Sequence, residues 1–156
     1  MSFLRSLGIE GIEHRDSRLI PATPGPVNVA SEISVLESEL QQRGYSIAVS
    51  HYRQAVDNFV DGNWEASNGQ VRSFIEDLFV IAGASAGFSK GEPRAALDFL
   101  RDNQRIDTKQ WNLFRAYWDE IQDNGPHRGL SDPEEALFRI HMGTALARYL
   151  LLAVNA

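Results

Sequence analysis

The chain has 156 residues, of which 43% are hydrophobic and 23% charged, with a formal net charge of −6 and no cysteine. That is enough chain for one compact domain with a sizeable core. The acidic balance argues against broad binding of duplex DNA but leaves room for a small local RNA pocket, and the lack of cysteine excludes disulfides, thiol catalysis, zinc–thiolate sites and iron–sulfur clusters.

Residues Met1 to about Val29 carry no convincing periodicity, and Pro21, Pro24, Gly25 and Pro26 make part of the stretch incompatible with a helix. It reads as an N-terminal arm over 1–29, preceding a helical domain over 30–156. One reading is a frayed terminus. The other is an arm that packs across a partner subunit through Leu4, Leu7, Ile9 and Ile12. Met1–Arg18 lacks the basic-then-apolar pattern of a secretion signal.

A first helix is expected from near Ser31 or Ser34, because Ser34 and Glu37 fit a capping box. Ile33, Leu36 and Leu40 make its stripe, and Gly44 ends it. A second runs from about Ile47 to Asp61, with Val49, Tyr52, Val56, Phe59 and Val60 on one side and a break at Gly62–Asn63. A third, from Trp64 to about Gly83, repeats Val71, Phe74, Ile75, Leu78, Phe79 and Ala82 at three and four residues and is a core helix. Arg72 and Glu76 lie one turn apart on a different face. Ala84–Gly91 reads as a loop of small residues. Pro93 opens a short helix to about Asp102, with Ala96, Leu97 and Leu100 inward. Asp107 or Thr108 caps the next, in which Trp111, Phe114, Trp118 and Ile121 share a face, with Leu113 and Tyr117 beside them. Core packing is the ordinary reading of these aromatics, and a base-stacking platform the other.

The stretch Gln122–Gly129 is a Gly/Pro turn that carries His127 and Arg128. Behind it Asp132, Pro133, Glu134 and Glu135 form a helix start: a cap, a first-position proline and acids at the positive end of the dipole. The last helix is expected over about Glu134–Val154. Its longest apolar run, near Leu146–Val154, is interrupted by Arg148 and is too short to span a bilayer. Apolar residues cover most of its directions, which suits a helix shared between the core and a two-fold copy of the chain. His141, Thr144, Arg148 and Asn155 form one polar line, either a solvated strip or a seam facing the cleft that contains His127.

No Glu-x-x-His, His-Glu-x-x-His, phosphate loop or nucleophile elbow occurs. The sequence therefore calls for no metal and no cofactor. Of the four histidines, His51 sits mid-helix and His14 lies in the arm. His127 is set in a turn where an imidazole can be exposed and fixed in direction, and the histidine side chain as a type can give and take a proton near neutral pH. A structural histidine bonded to its own turn is the competing reading.

Asp61-Gly62-Asn63-Trp64-Glu65-Ala66 followed by Arg72-Ser73-Phe74-Ile75-Glu76 resembles the second-helix pattern of the abortive-infection C-terminal domains of the HEPN superfamily. Ile121–Gly129, closing on His127-Arg128-Gly129, resembles that family's Arg-Asn…His-Gly loop, and Glu135–Val154 is similar to its terminal apolar helix. The likeness covers about residues 31–156. It implies an all-α bundle, which the helix pattern puts at five to six helices, that forms a homodimer, with RNA or a partner protein as ligand in bacterial stress or phage defence; the lack of cysteine fits a cytoplasmic location, and the short apolar run suggests no membrane association. The likeness also implies metal-independent ribonuclease chemistry in many members, with His127 as the acid/base. Arg128 or Arg72 would contact the phosphate, Glu76 would orient a neighbour, Asp123 or Asn124 would take the polar role, and His141 and Arg148 would line the cleft. The family signature is Arg, four to six residues, then His. Here the corresponding positions before His127 hold Gln122, Ile121 and Glu120, and no such spacing occurs anywhere. The missing cation would cost roughly a hundredfold in rate. The other readings are a non-catalytic dimeric interaction domain and a small-ligand or nucleotide sensor that uses Trp111 and Trp118.

Overall fold

The computed structural model describes residues 12–15, 18–21, 29–89, 91–122 and 132–155. It divides into two units, Met1–Val35 and Leu36–Ala156. In the first, Ile12–Arg15 (β1) and Arg18–Pro21 (β2) pair antiparallel in the register Ile12 to Pro21 and Arg15 to Arg18. The sequence reading had no strand here, because four-residue strands are too short for alternation to register as a pattern. The arm residues Leu4, Leu7 and Ile9 lie outside the described residues.

Six helices follow: α1 (Val29–Gln42), α2 (Ser46–Val60), α3 (Trp64–Ser85), α4 (Pro93–Asp102), α5 (Thr108–Gln122) and α6 (Pro133–Asn155). The six described helices make the expected all-α bundle. Its punctuation is chemical. Gly44 and Gly62 adopt φ +74° and +78°, where a side chain would be strained, and they end α1 and α2. Asp107 caps α5 in a reciprocal pair: Gln110 N–H donates to Asp107 Oδ1 at 2.8 Å, and Asp107 N–H to Gln110 Oε1 at 2.8 Å. Glu135 N–H donates to Asp132 Oδ1 at 2.7 Å at the start of α6, with Pro133 in the first helical position. The first helix begins at Val29, ahead of the Ser31–Ser34 start read from the capping box.

The core of the second unit is built around α3, whose Val71, Phe74, Ile75, Leu78, Phe79 and Ala82 are all buried. Tyr52 of α2 packs on Phe74 with ring centroids 5.0 Å apart. Phe114 of α5 bridges Phe79 and Tyr149, at 6.3 and 5.9 Å. Two inward assignments change. Val60 is exposed, because it ends α2 while the buried arc of that helix is carried by Ala48, Val49, Tyr52 and Ala55. Tyr117, placed beside the main face of α5, is buried in it with Phe114 and Ile121, whereas Trp111 and Trp118 are half-buried.

The α5–α6 contact turns on a missing side chain. The Tyr117 hydroxyl donates to the Arg139 carbonyl at 2.6 Å, and a Cβ at Gly143 would lie 2.7 Å from that hydroxyl oxygen. Glycine at 143 thus clears the space in which α5 hydrogen-bonds the backbone of α6. The same glycine faces Val71 of α3, 3.6 Å from where its Cβ would stand, so three helices meet there. Burial pushes the Tyr117 hydroxyl above its ordinary pKa, and nearby Arg139 opposes the shift.

Candidate functional site

Asp123, Asn124, His127 and Arg128 lie outside the described residues. The described candidates are Arg72, Glu76, His141 and Arg148, and they form two separate groups.

Arg72 and Glu76 lie one turn apart on α3. Arg72 Nε donates to Glu76 Oε1 at 3.1 Å, and the same oxygen accepts from Gln122 Nε2 of α5 at 2.9 Å. Gln122 is the last residue of α5, so Glu76 ties the cation to the residue after which Asp123 follows. The Arg72 side chain is 41% exposed, and its bond to Glu76 uses Nε. Arg72 is therefore a cation held on a short tether and still accessible.

The polar line of α6 divides. Thr144 is buried. It donates to the Ile140 carbonyl at 2.7 Å, which spends its single proton, so the Tyr52 hydroxyl is the donor in their 2.7 Å bond. Arg148 is half-buried, with Glu39 of α1 3.7 Å away; His141 is half-buried and Asn155 exposed. A seam of four polar side chains on one face is corrected to an inward threonine and three outer residues. The reason is that α6 packs on α2 and α3 along the edge that Thr144 occupies.

Trp111, one of the two indoles proposed for stacking, is already engaged. Trp111 Nε1 donates to Asp98 Oδ1 at 2.9 Å, and its ring is flanked by the guanidiniums of Arg101 and Arg115, 4.5 and 5.2 Å from the ring centroid. A base stacking on a face that a guanidinium occupies would have to displace it.

Sequence reading missed four polar residues in or beside the core. Arg139 is 1% exposed and paired with Glu135 one turn earlier, and that i,i+4 spacing was the available signal. Asn68 is equally buried, with neither side-chain polar atom hydrogen-bonded among the described residues. It falls on the Asn68–Val71–Ile75 stripe of α3, where a periodicity count would have flagged a polar intruder. Ser67 is also buried, and donates to the Ala55 carbonyl at 2.8 Å. Asp77 has a buried Oδ2 without a hydrogen-bond partner among the described residues; burial raises its carboxyl above the ordinary carboxylate pKa, and His51 opposes the shift. His51 itself donates from Nδ1 to Gln70 Oε1 at 2.8 Å, which makes it a bridge between α2 and α3.

A depression of about 430 Å³ is lined by Gln41, Gly44, Ser46, Val49, Ser50, Arg53 and Gln54 where α1 meets α2. Its arginine is engaged by Glu37 at 2.6 Å. Among the described residues no group of three or more His, Asp or Glu is placed to hold a metal. By length and composition α6 is long and apolar enough to cross a membrane, which corrects the expectation drawn from its longest uninterrupted run. About half of it is nonetheless turned into the bundle, Arg139 included.

No family model, no curated protein and no solved structure matches this chain.

Proposed function

We propose that this chain is a HEPN-type, abortive-infection-like helical domain that binds single-stranded RNA at the face bearing Arg72, and that it is not an efficient ribonuclease. The observation that carries the reading is the chain of contacts from Arg72 to Glu76 to Gln122. It links a partly exposed arginine to Gln122, the last residue of α5, after which the stretch with His127 follows in sequence. Arginine suits phosphate because its planar fork donates to two oxygens at once. A proton-transferring His127 would supply the acid/base half of the chemistry. The motif arginine that would stabilise the charged phosphate is missing from its usual spacing, and Arg72 belongs to another helix. Binding with little or no turnover follows.

The test is fluorescence anisotropy of the full chain with a labelled single-stranded oligoribonucleotide, beside incubation with total RNA with and without a chelator. Saturable binding, weakened several-fold by Arg72→Ala, with RNA cut slowly or left whole irrespective of chelator, is the expected result. RNA left intact together with no change in anisotropy discards the RNA reading and leaves a partner protein as the ligand of this face.

A further inference from the structure

The two halves of α6 are held to the bundle in different ways. Past Thr144 the buried side chains are Leu146, Ala147, Leu150, Leu151 and Val154, and Tyr149 packs on Phe114. From Pro133 to Met142 they are Ala136, Arg139 and Ile140, while Leu137 and Phe138 are 40 and 47% exposed. The first half thus sets one large apolar side chain, Ile140, into the core, where the second half sets Leu146, Leu150, Leu151 and Val154. Apolar burial is the main force that keeps a helix docked, so the first half is held less firmly.

What else the first half covers is polar. Arg139, 1% exposed, is paired with Glu135 one turn earlier, and such a pair gives up in lost hydration much of what it gains in attraction. Asn68 of α3 is the second buried group. Val71 stands 3.6 Å from where a Cβ at Gly143 would be, and Phe79 is level with Tyr149 through Phe114. The helices α3 and α6 therefore run in the same direction, and Asn68, one turn before Val71, falls level with Arg139 and Ile140. Its amide is 1% exposed, and neither polar atom has a hydrogen-bond partner among the described residues. Water would reach both groups if this part of α6 moved away, so both favour an open arrangement.

Gly143 lies between the halves. The Tyr117 hydroxyl leaves no room for a side chain there, and a glycine within a helix is its weakest backbone position. Thr144 follows. Its hydroxyl donates to the Ile140 carbonyl and so competes with the helix's own N–H for that oxygen. Threonine is also a residue type that caps a helix start, and Tyr52 of α2 keeps this one in place.

We infer that α6 is a jointed helix: the turns from Pro133 to Met142 leave the bundle as one unit about Gly143, while those from Thr144 onward stay docked. Opening brings the Arg139 guanidinium to solvent and closing withdraws it, so the joint governs whether α6 presents that cation. The inference does not depend on RNA binding.

Amide hydrogen exchange of the full chain, followed residue by residue by NMR, tests the joint. The amides of Leu137–Met142 should share one protection factor, at least about a hundredfold below that of Ala147–Leu151, with a denaturant dependence well under that of global unfolding. Leu150→Val should speed exchange at Ala147–Leu151 about threefold to tenfold and leave Leu137–Met142 unchanged, because position 150 stays packed in the opened form. Tyr117→Phe, which severs the bond to the Arg139 carbonyl, should speed exchange at Leu137–Met142 about fivefold. Equal protection in the two halves overturns the inference. So does protection that climbs steadily from Leu137 to Met142, the mark of a fraying end. An equal effect of Leu150→Val on both halves overturns it as well, since α6 would then leave the bundle in one piece.

Discussion

At the scale of single residues, the contact between Tyr117 and Gly143 makes the sharpest prediction. Gly143→Ala drives a methyl group into the Tyr117 hydroxyl and should destabilise the fold by about 1–3 kcal/mol, the usual cost of overpacking. Tyr117→Phe loses only its bond to the Arg139 carbonyl, about 1 kcal/mol. The double variant should be more stable than the sum of the two predicts, because removing the hydroxyl removes the atom that clashes; additive losses in a urea-denaturation cycle would reject this account. Asp77 carries a pH dependence. Its folded carboxyl is raised by burial, so the folded chain holds that proton more tightly than the unfolded chain does. The resulting stability is fully present below the ordinary carboxylate range and is lost as pH rises through the raised value. Asp77→Asn should therefore raise the melting temperature at pH 7. The gain should shrink as pH is lowered through the carboxylate range, and a gain independent of pH would mean that the charge is not what burial opposes.

At the scale of elements, the helix ends are the parts most readily altered. Asp132→Ala removes the acceptor for Glu135 N–H and should cost about 1 kcal/mol, seen as a lower denaturation midpoint with an unchanged slope. The ends were also the most legible features. Proline at 93 and 133, glycine at 44 and 62, and Asp107 each act within three or four residues, and the boundaries they imply lie within two residues of the observed helices. What could not be read depends on neighbours distant in sequence. Whether Thr144 points inward is decided by Tyr52, 92 residues away, and whether Val60 is covered is decided by where its helix stops. The tie between Glu76 and Gln122 spans 46 residues and has no local signature. The all-round apolarity of α6 was plain in the sequence, and the structure resolves it into a face turned to the core and an outer side on which Leu137, Phe138 and Leu152 are exposed.

At the scale of the whole molecule, the net charge of −6 limits how RNA can be held. Binding through Arg72 and one or two companions should give a shallow salt dependence, a slope near −1 to −2 in log affinity against log salt; a steep slope would require a basic surface that this composition does not supply. The helices are joined by specific devices: an aromatic pair of Tyr52 and Phe74, an aromatic run through Phe79, Phe114 and Tyr149, the Tyr117 hydroxyl on the Arg139 carbonyl, and an indole beside two arginines. The last of these has a practical use. Trp111 sits on α5, yet Asp98 and Arg101 of α4 hold its N–H and one of its faces. Its fluorescence is thereby a built-in gauge of whether the short helix is docked, and parting the two helices would replace its charged surroundings with water well before the remaining helices separate.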